Sequence, residues 1–225
     1  MLAFGAFSAE LQVYGRIAAL GGRIVQEFGN VLDVNVPEED FPEYIERQLT
    51  YHEPAALRPG RYNLSVVVRD PANGLMGSIQ QRFQVPWFDL DRLANSSVIL
   101  ADKIGSWQST IPDPQLSYLG GNLLAYNPAQ VFSREKDLGF YFEIYGLGID
   151  PATLTTSLAV EYRVLREGKI VLSQTDEIQE PSMMHVVQKK LHLSSLAPGV
   201  YTLELRVTDR VRNQTVSPST TFDVT

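Results

Sequence analysis

Three histidines are the side chains of this 225-residue sequence best suited to binding a transition metal. His52, His185 and His192 lie in different segments, and none stands at metal-binding spacing from a second ligand. His185 and His192 are separated by an odd number of positions in one predicted strand, so their side chains point to opposite faces. The sequence therefore predicts no metal site built on histidine.

Aspartate and asparagine recur at two predicted turns, where their oxygens are of the type that Ca²⁺ prefers. One turn contains Asp209 and Asn213, and its counterpart contains Asp70 and Asn73. Calcium binding is one interpretation of these turns. We favour a second interpretation, in which the side chains stabilise the turns, because Asp and Asn at turns accept hydrogen bonds from nearby backbone amides.

Catalytic motifs are missing from the sequence. It contains no Gly-x-Ser-x-Gly, no phosphate-binding loop, no His-Glu-x-x-His and no cysteine. Asp176 and Glu177 are adjacent acids on a predicted strand, so they face opposite sides and cannot act together on one substrate. We therefore expect no catalytic residue, no cofactor and no enzymatic activity.

An aromatic segment is the one candidate ligand site. Trp107, Tyr118 and Tyr126 lie in 105–135, a Pro- and Gly-rich segment expected to be a long loop. Their rings could form a platform for a sugar or a peptide. The alternative, which is favoured, is that they fold back over the open end of a sandwich.

Apolar residues alternate with polar ones along most of the chain, which is typical of strands with one buried face. Short strands separated by Gly, Pro and Asn predict antiparallel sandwiches. Arg166, Glu167, Gly168 and Lys169 predict a hairpin turn. One short helix is expected after Asp40, which has capping-box spacing to Glu43.

An internal repeat organises the sequence. The segment 57–64 (LRPGRYNL) returns at 196–203 (LAPGVYTL), and the match continues without gaps to 85 and 224. Tyr62 and Tyr201 follow the Pro-Gly of each copy. A tyrosine there can bury its ring and return its hydroxyl to the preceding corner, so both are predicted to be structural corner residues.

Two copies of one closing segment predict two domains. We place an immunoglobulin-like sandwich at 1–86, a linker at 87–96 and a second immunoglobulin-like sandwich at 97–225. The expected fold class is all-β, with two tandem sandwiches and the short helix in the first.

The charge of the chain bears on its partners. With 26 acidic and 19 basic residues the net charge is −7, which disfavours binding to nucleic acid or to anionic membrane surfaces. The apolar start is interrupted by Gly5, Ser8 and Glu10, so neither a signal peptide nor membrane insertion is predicted, and Met1 is expected to begin inside a longer protein.

Four segments carry a resemblance to a known family: residues 57–74, 96–102, 140–145 and 162–169. They are similar to the carboxy-terminal region of von Willebrand factor A-related proteins of acidobacteria. The resemblance implies β-sandwiches in an extracytoplasmic protein, periplasmic, surface-bound or secreted, with a part in adhesion or assembly. An A-type domain normally carries a metal-dependent adhesion site, but the Asp-x-Ser-x-Ser of that site does not occur here.

The expected function is that of a non-catalytic structural or protein-interaction module of a larger exported bacterial protein. Its partner would be a protein or a surface glycan. Two alternatives remain open: a carbohydrate-binding module that uses the aromatics of 105–135, and accessory domains of an enzyme whose catalytic part lies elsewhere.

Overall fold

A computed structural model describes residues 6–39, 41–44, 51–106, 117–119 and 122–225. The chain divides into two compact units, Met1–Trp87 and Phe88–Thr225. The described elements of the first are β1 (Ala6–Ala19), β2 (Ile24–Pro37), α1 (Phe41–Tyr44), β3 (Gly60–Arg69) and β4 (Met76–Val85). Those of the second are β5 (Ala94–Asn95), β6 (Ile99–Ser106), β7 (Ser117–Leu119), β8 (Asn122–Tyr126), β9 (Val131–Phe132), β10 (Asp137–Tyr145), β11 (Leu158–Arg166), β12 (Lys169–Ile178), β13 (Met184–His192), β14 (Gly199–Asp209), β15 (Gln214–Val216) and β16 (Ser219–Val224).

The described strands of the first unit form one antiparallel sheet in the order β2-β1-β3-β4. Alternation gives this sheet an apolar face, on which Val13, Ile17 and Val36 are buried. Phe41 in α1 stacks on Phe7 with the ring centroids 4.0 Å apart. The helix expected after Asp40 is therefore present as α1, but a second sheet facing the first is not seen in the described part of this unit.

The second unit is a sandwich. Its described strands form one sheet in the order β13-β10-β6-β8-β7, with β5 beside β10, and a second in the order β12-β11-β14-β16-β9, with β15 beside β14. All these pairs are antiparallel except β9 with β16. Phe142 of the first sheet and Val160 and Leu205 of the second are fully buried in one shared core. The expected all-β architecture is confirmed, and here the two sheets face each other.

The predicted hairpin turn joins β11 to β12. Glu167 and Gly168 both have positive φ, of 50° and 75°, which is the conformation a tight two-residue hairpin turn requires. A glycine adopts it without strain, whereas the glutamate tolerates it at the tip of an exposed turn.

The repeated sequence folds into the same hairpin twice. In the first copy Gly60 pairs with Val85 and Tyr62 with Phe83; in the second Gly199 pairs with Val224. Tyr201 likewise pairs with Phe222, and both tyrosine–phenylalanine pairs stack at 5.6 Å between centroids. Because the register is the same in both copies, the sequence repeat corresponds to a repeated hairpin.

The chain divides between Trp87 and Phe88, inside the segment 87–96 that was predicted to be a linker. Leu93 is buried, and its backbone N–H donates to the Gln214 side chain at 2.7 Å. Ala94 and Asn95 form β5 and pair with β10. Most of the predicted linker is therefore built into the second unit, because its apolar Leu93 and its free backbone groups find partners there.

The segment 105–135 also departs from the expected long loop. Its described residues include β7, β8 and β9, and β8 pairs with both β6 and β7. These strands are only two to five residues long, which is too short for their alternation to be recognised in the sequence. Pairing with a neighbouring strand is nevertheless enough to order them.

Candidate functional site

Strand β10 divides its side chains between the core of the second unit and the opposite face of its sheet. Phe140, Phe142 and Ile144 enter the core. The alternate residues Tyr141, Glu143 and Tyr145 lie on the other face, and we call these three the β10 outer row.

The β10 outer row is held together by its glutamate. The carboxylate of Glu143 accepts hydrogen bonds from the hydroxyls of Tyr141 and Tyr145. The ring of Tyr145 also lies 4.9 Å from that of Phe88, between centroids. The pKa values of both tyrosines are raised well above the usual range, mainly by burial and then by the hydrogen bonds to Glu143. Both phenols therefore stay protonated and act as donors, not as bases.

An apolar patch continues from this row across the same face. Tyr141 packs with Ala101, Ile104 and Leu124, all of which are buried. Gly139 makes the close packing possible, because a Cβ there would lie 2.8 Å from the Cγ2 of Ile104. We call Tyr141, Ala101, Ile104 and Leu124 the outer patch.

The predicted aromatic site meets this face only in part. Tyr126 in β8 pairs with Ala101 of the outer patch and is half-buried, and Tyr118 lies in the adjacent strand β7. Trp107 lies outside the described residues. The structure thus brings two of the three predicted residues into neighbouring strands of one sheet.

The two corner tyrosines lie where the repeat places them. The Tyr62 hydroxyl donates to the carbonyl of Arg58, and the Tyr201 hydroxyl donates to the carbonyl of Ala197, each at 2.7 Å. Both rings are buried. Each hydroxyl is thus used to close the corner four residues upstream.

The turn aspartates bind backbone amides. Asp70 accepts a hydrogen bond from the N–H of Ala72 at 2.9 Å. Asp209 accepts from the N–H groups of Val211, Arg212 and Gly148, at 2.9, 3.1 and 2.7 Å. With both Asp209 oxygens occupied by N–H donors, this carboxylate serves the fold.

A polar cluster that sequence reasoning missed joins the two sheets of the sandwich. Tyr162 in β11 donates to Asp176 in β12 at 2.9 Å, and Lys189 in β13 forms an ion pair with the same carboxylate. The Lys189 Nζ also lies 4.8 Å from the centroid of the Tyr162 ring. Tyr162 continues the alternation of the apolar residues of β11 that face the core, and a buried hydroxyl needs a partner. This alternation was the signal in the sequence from which the cluster could have been found.

The electrostatics of this cluster favour a charged Asp176. Burial alone would raise the pKa of that carboxyl, but the hydrogen bonds from Lys189 and Tyr162 outweigh it, and the net shift is downward. Burial, followed by the bond to Asp176, raises the pKa of Tyr162. The neighbouring Glu177 is paired separately, with Arg210 at 2.6 Å.

Two histidines are also engaged in pairs. His185 contacts Glu180 through Nδ1, and the Nδ1 of His192 lies 2.6 Å from a carboxylate oxygen of Asp137. Among the described residues, no three His, Asp or Glu side chains converge as metal ligands would. No helix in the described part of the chain is long and apolar enough to span a membrane.

Comparison with known proteins finds distant structural likenesses, and two of them are described below. No protein-family model matches the chain, and no curated protein sequence matches it. A Bacteroides uniformis β-glucuronidase 2, covalently bound to cyclophellitol-6-carboxylate aziridine, aligns over 95% of this chain with 13% identity and a TM-score of 0.35. A Parabacteroides merdae β-glucuronidase aligns over 96% with 13% identity and a TM-score of 0.33. The chain spans 24% and 26% of those two proteins, about a quarter of their length. Scores this low assign no activity.

Proposed function

We propose that this chain is a non-catalytic structural or protein-interaction module of a larger, exported bacterial protein. The observation that carries the proposal is the repeated hairpin, in which the same tyrosine and the same aspartate serve the backbone in both units. Side chains capable of chemistry are used at equivalent positions to brace a β-sheet. Tandem β-units braced in this way suit a spacer that presents its edges and loops to partners.

The hydrogen bonding of two further carboxylates, Glu143 and Asp176, supports the same proposal. Glu143 is occupied by two phenols, and Asp176 is occupied by Tyr162 and Lys189. Carboxylates whose acceptors are filled by protein donors stabilise a sandwich and are poorly placed to accept a proton from a substrate.

A substrate screen tests the non-catalytic part. We expect the purified chain to show no turnover above buffer on chromogenic glycosides, esters and peptides. Turnover that survives repurification and is abolished by Glu143→Gln or Asp176→Asn would overturn the proposal. In the natural full-length protein, protease accessibility in intact cells tests the proposed extracytoplasmic location.

Carbohydrate binding is the second candidate function, and the outer face of the β10 sheet favours it. Tyr126 is half-buried beside the apolar outer patch, and a sugar ring stacks on such an aromatic while its hydroxyls bind nearby polar groups. A glycan array with the parent chain, Trp107→Ala and Tyr126→Ala tests this candidate. Tyr14→Ala, at an exposed tyrosine of the first unit, is the matched control. Glycan binding that is lost in Trp107→Ala and Tyr126→Ala but kept in Tyr14→Ala would establish carbohydrate binding.

A further inference from the structure

Strand β4 is an unusually open sheet edge. It is the last described strand of the first sheet, and its first seven residues are exposed, including Met76 at 70% and Ile79 at 58%. Its pairing with β3 runs over ten residues without a bulge. Arg82 is its only charged residue, and it contains no proline.

The other described sheet edges carry features that discourage strand pairing. β2 contains Glu27, Asp33 and Pro37. In the sandwich, β12 and β13 are edges with several charged side chains, and β7 and β9 are only three and two residues long. Charge, proline and shortness are the usual protections of an edge, and β4 has none of them beyond one arginine.

We propose that β4 pairs with the β4 strand of a second copy of this chain, antiparallel and centred on Gln81, so that the two four-stranded sheets become one. Such a contact is isologous, since the same residues contribute from both copies about a two-fold axis. It goes beyond the structural role proposed above, because it assigns a surface and an occupant.

The sequence of β4 is self-complementary in this register. On the apolar face, Ile79 lies opposite Phe83 of the second copy and Gly77 lies opposite its Val85. Opposed β-branched and aromatic side chains stabilise a strand pair. A two-fold axis perpendicular to the sheet keeps the two apolar faces on the same side, so the apolar surface continues across the junction.

The polar face is compatible with the same register. Gln80 lies opposite Arg82 of the second copy, and Ser78 lies opposite its Gln84. The two copies of Arg82 are diagonal neighbours, about 7–8 Å apart, where long side chains can diverge. Moving the centre by one residue to Gln80 would place Ile79 opposite Gln81 and lose the apolar pair.

Disulfide trapping tests the proposal, and the cysteine-free chain is well suited to it. In this register Gln81 of one copy lies opposite Gln81 of the other. Their Cα atoms are about 4.5–5.5 Å apart, which is within reach of a disulfide. Gln84→Cys is the matched control: it changes the same residue type in the same exposed strand, but its two copies lie six positions apart, about 20 Å. We expect Gln81→Cys to form covalent dimers at least about tenfold faster, since pairing raises the local thiol concentration. Equal rates would overturn the proposal.

A second variant pair tests the apolar contact. In the Gln81→Cys background, Ile79→Lys is expected to reduce cross-linking to the Gln84→Cys rate, whereas Ile79→Val retains it, with circular dichroism verifying the fold of each. The cysteine-free parent should show a concentration-dependent dimer in sedimentation. Three results would each overturn the proposal. The parent could stay monomeric at all concentrations, or Ile79→Lys could leave cross-linking unaffected. The third is that β4 binds a different protein in place of a second copy.

Discussion

The carboxylate of Asp209 accepts a hydrogen bond of 2.7 Å from the backbone N–H of Gly148, which ties the second repeated hairpin to the loop that follows β10. Asp209 is almost fully buried, and its carboxylate accepts from three backbone N–H groups. The side chain of its counterpart Asp70 accepts from one local N–H, that of Ala72. A Cβ on Gly148 would lie 2.7 Å from the Cγ of Arg212, so the approach requires a glycine. One repeated residue therefore has a tertiary role in only one of its two copies.

We expect Asp209→Asn to lower the free energy of unfolding of the second unit by about 2–3 kcal/mol. The amide nitrogen would replace an oxygen that accepts from a backbone N–H, leaving a buried donor without its partner. Asp70→Asn is the control, with an expected change within about 0.5 kcal/mol, because asparagine also suits an exposed turn. Urea unfolding followed by circular dichroism measures both, and similar losses would contradict the assigned difference.

Removing the corner hydroxyls should destabilise each unit separately. We expect Tyr62→Phe and Tyr201→Phe each to lower the free energy of unfolding by about 1 kcal/mol, because the part-buried hydrogen bond to the corner carbonyl is lost while the buried ring stays packed. Tyr201→Phe should cost more, since the Tyr201 hydroxyl also accepts from Arg166 at 3.2 Å. Denaturant melts give both values. Unchanged midpoints would show that the hydroxyls do not hold the corners.

The Asp176 cluster predicts a loss of stability in acid. Because the folded-state pKa of Asp176 is lowered, its contribution is present above the unfolded value of about 3.9 and is lost as the pH falls through the folded value. We expect Asp176→Asn to destabilise the second unit at pH 7, and we expect the difference in stability between variant and parent to be smaller at pH 2 than at pH 7. Urea melts at the two pH values test this. A difference between parent and variant that does not change with pH would contradict it.

The boundary between the units predicts one early proteolytic cut. Trp87 is 78% exposed and precedes Phe88, whereas Leu93 and β5 are held in the second unit. Brief chymotrypsin treatment should therefore cut after Trp87 and leave 88–225 protected, as mass spectrometry of the fragments would show. Trp87→Gly should remove this cut. First cleavage within 93–95 would mean that the segment is a free connector.

The sequence by itself predicted the all-β class, antiparallel strands with one buried face, the hairpin at Glu167 and Gly168, and the two corner tyrosines. These features depend on local patterns: alternation of period two, turn residues that accept positive φ, and an eight-residue segment repeated at fixed spacing. Repetition was the most informative pattern, because it fixed the same register for Tyr62 with Phe83 and for Tyr201 with Phe222.

Tertiary structure alone decided which partners these residues meet. In the sequence, Asp176 was only one of two adjacent acids on opposite faces of a strand. It lies between Tyr162 and Lys189 because β11, β12 and β13 come together at one edge of the sandwich. Leu93 looked like part of a linker and is buried, and Asp209 gained Gly148 as a partner from a loop 61 positions away. Alternation tells which face of a strand a side chain occupies. It does not tell which strand or loop lies opposite, since that depends on contacts between residues far apart in the chain.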